Sequence, residues 1–569
     1  MMNKFKADRP LYRFNGGVHP PGHKEQSSGA PIAIAPLPSR LIVPLHQSIG
    51  GTPRPVVKPG ERVLKGQIIG AADGWISSAV HAPTSGTVRD IAMHTQPHPS
   101  GLPALSVIID PDGKEEWSDL NPPDYAALSP DDIRKLIQQA GIVGLGGAVF
   151  PTHGKLTPSA RFPMEDLVIN GGECEPYMTC DDLLMRERAE GVVRGAAIFR
   201  DLMQPKRVMI GIEDNKPEAI AAMRAAVQVV GENFEVVPVP ALYPAGCAKQ
   251  LIRVLTGKEV PVSKRSTDLG AQCFNVATAY SAWRAIAFGE PMISRVVTLT
   301  GNVAHAHNVE ALFGTPMEEL IQLAKPKDDT DGILVGGPMM GFLAPDISAP
   351  IVKGTNCLIA HSPGLFPPRL PEMPCIRCGE CARVCPQDLQ PYELYRFARA
   401  KNFGKAQEYN LFDCIECGSC AYVCSSHIPL VQYYLFAKSE IWSREREKKA
   451  ADQARDRFLA KQKREEREKA EKAEKLAKAA AAQAAKKVAE TAAPADGVAP
   501  PDADAAKKAA IAAALERAQA QRAAAQPKNT DSLTPEQQQE MAEIDARRTQ
   551  ATQTTEPAAP EAASKKSPS

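Results

Sequence analysis

Nowhere in the chain do apolar residues run on for the ~18 positions that a membrane-crossing helix requires, and the apolar stretch 31–45 is broken by prolines. An excess of one charge is missing too: 67 Lys and Arg face 66 Asp and Glu, leaving a formal +1. That balance removes the broad basic field with which proteins attract nucleic acid. The opening residues, Met1-Met2-Asn3-Lys4-Phe5-Lys6, lack the apolar core of an export signal. A cytoplasmic chain is expected, reaching a membrane only at its surface or through partners.

Cysteine, by contrast, is plentiful and ordered. Eight of the thirteen fall into two copies of one spacing, Cys375-x2-Cys378-x2-Cys381-x3-Cys385-Pro386 and Cys414-x2-Cys417-x2-Cys420-x3-Cys424, offset by 39 residues throughout. A [4Fe–4S] cubane takes four thiolates, and in two-cluster ferredoxins the last cysteine of each run ligates the other cluster. The pattern thus assigns Cys375, Cys378, Cys381 and Cys424 to one cluster, and Cys385, Cys414, Cys417 and Cys420 to the second. A zinc ribbon accounts for paired C-x2-C but not for a third cysteine and an x3 gap repeated in register. Disulfides suit exported chains. Gly379 and Gly418 follow the second cysteine of each run, where a missing Cβ lets N–H groups approach sulfur. Residues 392–398 read as helix with Pro391 in the first turn, so a helical ferredoxin module is expected.

The fold class expected is multidomain α/β plus β. Five modules are expected: 1–125, 126–292, 293–362, 363–442 and 443–569. In the first, short apolar strands alternate with glycine turns over 57–70 and 80–88, which resembles the flattened barrel of biotinyl and lipoyl carriers. The hairpin tip, Asp73-Gly74-Trp75-Ile76-Ser77, has no lysine to carry a cofactor, so a structural or docking role is expected. His81 beside it reads as an ordinary packed histidine. In the second module, strands at 166–170, 207–213 and 234–240 alternate with helices at 183–203 and 216–229. That alternation predicts a Rossmann-like parallel sheet. The third reads as a small β-rich domain whose helix opens on a capping box, Thr315-Pro316-Met317-Glu318, with proline at the first helical position. After the cysteines, 427–442 reads as an apolar helix packed on the cluster module or lying on a membrane surface. The final module has high helix propensity to about residue 490 without an apolar stripe. Pro494, Pro500 and Pro501 then break it, ahead of a tail disordered by composition.

Two loops of the second module carry chemistry. Gly141-Ile142-Val143-Gly144-Leu145-Gly146-Gly147-Ala148-Val149-Phe150-Pro151-Thr152-His153-Gly154-Lys155 offers backbone amides to a phosphate, with Lys155 as counter-charge. It is not G-x-G-x-x-G, and a structural turn remains an alternative. Asn170-Gly171-Gly172-Glu173-Cys174-Glu175-Pro176 ends a predicted strand, where ligands sit in open α/β sheets. Its carboxylates suit flavin edges or ribose hydroxyls, or else an ordinary solvated loop.

The glycine loop followed by Asn170-x2-Glu173-x-Glu175-Pro176 resembles the NADH- and FMN-binding flavoprotein of respiratory complex I. The whole arrangement, over about residues 1–445, more closely resembles the C subunit of the Rnf (Rsx) ion-translocating electron-transport complex. Tyr243-Pro244-Ala245-Gly246-Cys247-Ala248-Lys249-Gln250-Leu251 and Asn275-Val276-Ala277-Thr278-Ala279-Tyr280 share in that likeness. The resemblance implies FMN contacts at Gly144, Gly146, Gly147, Lys155, Asn170, Glu173 and Asn275, and nicotinamide-side contacts at Phe150 and Glu175. It implies an SLBB-like β-grasp domain at 293–362. The cofactors it implies are two [4Fe–4S] clusters, FMN and NADH; the partners are the other Rnf/Rsx subunits and ferredoxin. The place it implies is the cytoplasmic face of the bacterial inner membrane. Three departures stand against it: Val149 for a glycine, Gly172 for an acid, and Gly246-Cys247-Ala248 for Gly-Glu-Glu. They keep open a non-catalytic iron–sulfur relay with a vestigial nucleotide site. An iron–sulfur sensor in transcription is disfavoured, because no basic recognition helix precedes residue 440. Cys174, Cys180, Cys247, Cys273 and Cys357 show no ligand spacing and are expected to be buried thiols.

Overall fold

Runs of Val, Ile and Leu at Asp166–Gly171, Arg207–Glu213 and Glu235–Val239 form strands buried along most of their length, as strands covered on both faces must be. A fourth strand, Ala271–Asn275, joins them, and all pair in parallel. Across the sheet the order is 235–239, 207–213, 166–171, 271–275. Chain order reverses between the last two, so the ligand crevice opens at their carboxyl ends, at Asn170 and Asn275. The computed structural model describes residues 9–157, 163–261, 264–491 and 516. The readings made for residues 1–6, for Pro494, Pro500 and Pro501, and for the tail beyond them lie outside the described residues.

The single helix expected over 183–203 is two, Cys180–Glu187 and Ala189–Met203, meeting at Arg188 with φ −130°. At this break the Arg188 side chain leaves for Glu310 (2.7 Å) and the Tyr280 hydroxyl (3.3 Å). Gly195 lets the second helix lie against Val276–Phe288; a Cβ there would collide with the Ala279 carbonyl.

Two sheets make the barrel. One runs in the order Leu41–Pro44, Pro103–Pro111, Gly86–Thr95, Arg62–Val63, and the other Arg54–Pro55, Ile68–Ala71, Val80–His81. Leu41, Val43, Val63, Ile69, Val88 and Ile109 fill the space between. His81 is indeed packed: burial, then the neighbouring Lys353, push its imidazole down to about 3. Residues 9–40, ahead of the first barrel strand, run as a strap over other modules. They have no apolar period of their own, so their backbone groups are satisfied elsewhere. Tyr12 N–H donates to Val254 O, and Gly17 N–H to Val384 O beside Cys385. Lys24 Nζ donates to the carbonyls of Glu175 and Met178. Ala33–Ile34 then adds an edge strand to His307–Leu312.

That edge belongs to a six-stranded sheet with Ser294–Gly301 and Cys357–His361 parallel at its centre. The helix Met317–Gln322 packs on it, but the expected capping box does not form. Thr315 Oγ1 donates to Leu312 O, while the N–H groups of Met317 and Glu318 donate to Ala349 O and Ile347 O. The neighbouring backbone meets the donors a cap would have met, and Pro316 stands outside the helix rather than in its first turn.

The cysteine module is helical: Glu380–Arg383, Pro391–Arg399, Phe403–Glu408, Ser419–Tyr422 and the start of Leu430–Thr491. Leu430, Tyr434, Ala437 and Ile441 recur on one face and are buried against it. Contacts divide the chain after Gln453. From Ala454 the helix is exposed as far as its side chains are described. It carries ion pairs such as Arg467–Glu471 and Glu474–Lys478, each worth only ~0.2–0.5 kcal/mol. Among the described residues no helix is long and apolar enough to cross a membrane.

Glu310 ties the six-stranded sheet to the α/β helices through Arg188 (2.7 Å) and Arg284 (2.9 Å). Burial pushes its carboxyl up, but the two guanidiniums outweigh that and hold it below the ordinary 4.5. The unfolded chain therefore binds the proton first, so this stabilisation is full above pH ~4.5 and is lost as acid titrates the folded group. E310Q is expected to lose ~3 kcal/mol at neutral pH. In urea unfolding the deficit should shrink in acid; a pH-independent deficit would show that the charge is irrelevant.

Candidate functional site

Two cavities lie in the cysteine module. Cys375, Cys378, Cys381 and Cys424 wall the first; Cys385, Cys414, Cys417 and Cys420 wall the second. The one-turn helices Glu380–Arg383 and Ser419–Tyr422 carry the chain from one cavity towards the other. Backbone conformation repeats with the cysteines: left-handed φ recurs at Arg377 and Glu416, Gly379 and Gly418, Asp388 and His427. Nothing lies within 4 Å of a Cβ built on Gly379. Its φ of +81°, not close approach to sulfur, is what calls for glycine there. The repeat also extends beyond the cysteines, matching Tyr395 with Tyr434 and Arg399 with Lys438 at the same 39-residue offset. That wider repeat is a signal in the sequence which the cysteine spacing alone does not capture.

Each set of four thiols lines one cavity. Among the described residues no three Cys, His, Asp or Glu side chains are arranged to hold a single metal ion. At the second cavity the Glu416 N–H donates to Cys414 Sγ at 3.4 Å, and the Cys417 thiol donates to Ser419 Oγ at 3.4 Å. Four thiols and nearby donors fit a cubane cluster. The surroundings of the two cavities differ. Cys375 and Cys378 are exposed beside Ile376, which is 69% exposed. The Cys417 carbonyl is buried and accepts the Tyr243 hydroxyl at 2.5 Å, while Met339 lies against Gly418. One cavity opens to solvent; the other adjoins the α/β module.

At the crevice, the glycine loop is pinned by Gly144 N–H to Phe150 O and by Leu145 N–H to Thr278 Oγ1. Gly146, Gly147 and Ala148 are left exposed, and Gly146 faces Asn275. Val149 sits at φ +41°, a region a β-branched residue occupies only under strain. Asn275 caps its helix by accepting from Ala277 N–H and donates to Asp181 at 2.6 Å. Asn170 donates to Gly246 O and accepts from Gly172 N–H. The Glu173 carboxylate takes the Asp181 and Asp182 N–H groups that open the helix Cys180–Glu187. Glu175 accepts from the N–H groups of Met339 and Met340. Lys155 donates to Cys273 O at 2.5 Å, under the Phe274 ring. Asn170, Glu173 and Asn275 thus meet at the carboxyl ends of two strands. Each polar side chain the resemblance named already has a partner within the chain, and Gly146, Gly147 and Ala148 lie exposed beside them. The departures interlock. Gly172 makes room for Gly246, and a Cβ on Gly246 would meet Gly172 O at 2.8 Å and Cys174 Sγ at 2.9 Å. Of the five other cysteines, Cys180, Cys273 and Cys357 are buried; Cys174 and Cys247 are only partly so.

Family models match in three places: the Nuo51 FMN-binding domain at 137–284, the RnfC barrel sandwich hybrid domain at 12–114 and the 4Fe-4S dicluster domain at 369–425. A flavin-binding fold joined to a dicluster module defines an iron–sulfur flavoprotein, with FMN and [4Fe–4S] clusters as cofactors. Two relatives are named as the C subunit of an ion-translocating oxidoreductase complex. One, from Pseudomonas aeruginosa, is 48% identical over 407 residues, 71% of this chain and 52% of its own length. The other, from Haemophilus influenzae, is 44% identical over 467 residues, 82% of this chain and 71% of its own. The chain belongs to the RnfC family, the C subunits of ion-translocating oxidoreductase complexes. It spans about half the length of the Pseudomonas relative.

Burial pushes the Glu175 carboxyl up to about 7, against the two N–H groups that favour its charge. Folding then takes up a proton between the ordinary 4.5 and about 7, so wild-type stability falls as pH rises through that window. E175Q keeps an acceptor and cannot ionise. The stability of wild type relative to E175Q should decline across the window and level off above it, read from urea midpoints. Parallel curves would remove Glu175 from the linkage.

Proposed function

We propose that this chain is the peripheral subunit of a membrane-bound ion-translocating complex, at the cytoplasmic face of the bacterial inner membrane. It would take electrons from NADH and hand them to membrane partners or ferredoxin. FMN supplies the exchange between two-electron and one-electron chemistry, and the clusters supply the one-electron relay. The observation that carries the reading is the pair of four-cysteine cavities beside an FMN-binding fold. Cys375, Cys378, Cys381 and Cys424 would hold one cluster, and Cys385, Cys414, Cys417 and Cys420 the other. The exposed amides of Gly146, Gly147 and Ala148 would bind the flavin phosphate, with Gly144, Asn170, Glu173, Lys155 and Asn275 shaping its bed and Phe150 and Glu175 on the nicotinamide side. Tyr243 and Met339 join that crevice to the Cys385 cavity, which makes this cavity the inner one. The exposed thiols Cys375 and Cys378 face the partners. We read the six-stranded sheet as the β-grasp spacer that holds Met339 in place.

A second reading, a relay without nucleotide chemistry, is favoured by Glu175 being fully engaged and by the closed contact of Gly172 with Gly246. Anaerobic titration with NADH separates the two. Bleaching of flavin and cluster absorbance is expected; none, in protein with full flavin and iron, leaves only the relay.

The crossed ligation has its own test. C378S/C424S alters one cavity and should retain about four of about eight irons. C378S/C385S alters both and should retain almost none. Equal iron in the two double variants would refute the crossing.

A further inference from the structure

The barrel reaches the glycine loop through the tip of the hairpin where carrier domains hold their lysine. The tip is rigid: Asp73 N–H donates to Ser77 Oγ, which donates to Gly51 O, and Gly51 N–H donates to Ile76 O. It presents Trp75, 59% exposed although its backbone is docked. The Trp75 carbonyl accepts from His153 Nε2 at 2.8 Å, and the two rings meet edge to face at 5.9 Å. Between Trp75 and Phe150 lies Gly154, in the short helix Thr152–Lys155. A Cβ on Gly154 would fall 3.1 Å from Phe150 Cε1 and 3.5 Å from Trp75 Cη2. Gly154 is not among the residues with positive φ, so space rather than backbone conformation calls for glycine. Two aromatic side chains from different modules therefore converge beside one glycine. Because a carbonyl can only accept, His153 Nε2 carries the proton and Nδ1 is left an acceptor. That Nδ1 has no partner, although the residue is only 4% exposed.

We propose that Trp75 is a nucleotide-binding residue contributed by the barrel. With Phe150 it would grip a planar, N–H-bearing ring of the nicotinamide dinucleotide over Gly154. Aromatic faces hold such rings by offset stacking or edge contact. The nicotinamide and adenine rings both present a flat face, so the shared chemistry is the planar ring. The proposal rests on the NADH reading above and adds a determinant that the α/β module alone does not contain.

Full-length protein, anaerobic and loaded with FMN and iron, would be titrated with NADH, reduced nicotinamide mononucleotide and ADP-ribose in wild type, W75A and W75F. Direct binding and quenching of tryptophan emission are the readouts. NADH affinity should fall about tenfold in W75A and stay within about twofold in W75F. The quenching seen in wild type should be largely lost in both variants, with flavin and iron content retained. Whichever half-ligand loses affinity in W75A identifies the gripped ring. Equal NADH affinity in wild type and W75A overturns the role of Trp75 while leaving the NADH reading intact. If W75A fails to retain flavin, W75F decides: wild-type affinity with lost quenching supports the contact, and retained quenching overturns it. Wild type that holds flavin but binds no NADH overturns both.

Discussion

A loop as tight as Cys375–Cys381 can bring three thiols to one cavity but has no length left for a fourth. From that steric limit the rest of the cysteine module follows. Each run must borrow a ligand, so two loops have to lie side by side and exchange Cys385 and Cys424. The exchange in turn requires two matched one-turn helices, left-handed residues at equal places, and two longer helices starting at Pro391 and Leu430 to cover the cavities. The pseudo-repeat thus places two like sets of four cysteines around two cavities.

Symmetry inside the module contrasts with asymmetry around it. One cavity meets solvent at Cys375 and Cys378; at the other, Cys417 packs with Tyr243, Met339 and the strap residue Val18. This packing draws on three modules at once and places Tyr243 and Met339 between the crevice and Cys417. Lys24 and Gly17, on the same strap, tie that wall to the α/β loop and to the backbone beside Cys385. Packing thus fixes the crevice beside the Cys417 end of the second cavity.

The strands 166–171, 207–213 and 235–239 were legible because β-branched runs bounded by turns mark buried parallel strands. Ala271–Asn275 was not, being five residues long and carrying Gln272 and Asn275. The break at Arg188 was hidden as well, since helix propensity does not register a guanidinium drawn to a glutamate 122 residues away. Thr315 misled for the converse reason: its local pattern is that of a cap, but Ile347 and Ala349 supply the acceptors.

By itself, the sequence determined that eight cysteines fall into two matched runs and where the glycine loop lies. These are properties of covalent spacing and local backbone preference, which neighbours far along the chain do not alter. Only the tertiary structure decided what faces what. Tyr243 reaches Cys417 across 174 residues, Glu175 reaches Met339 across 164, and Trp75 meets His153 across 78. Contacts of that range are set by how modules pack. The same packing decided that the polar residues of the crevice would be engaged with one another, leaving backbone amides and aromatic faces to meet a ligand.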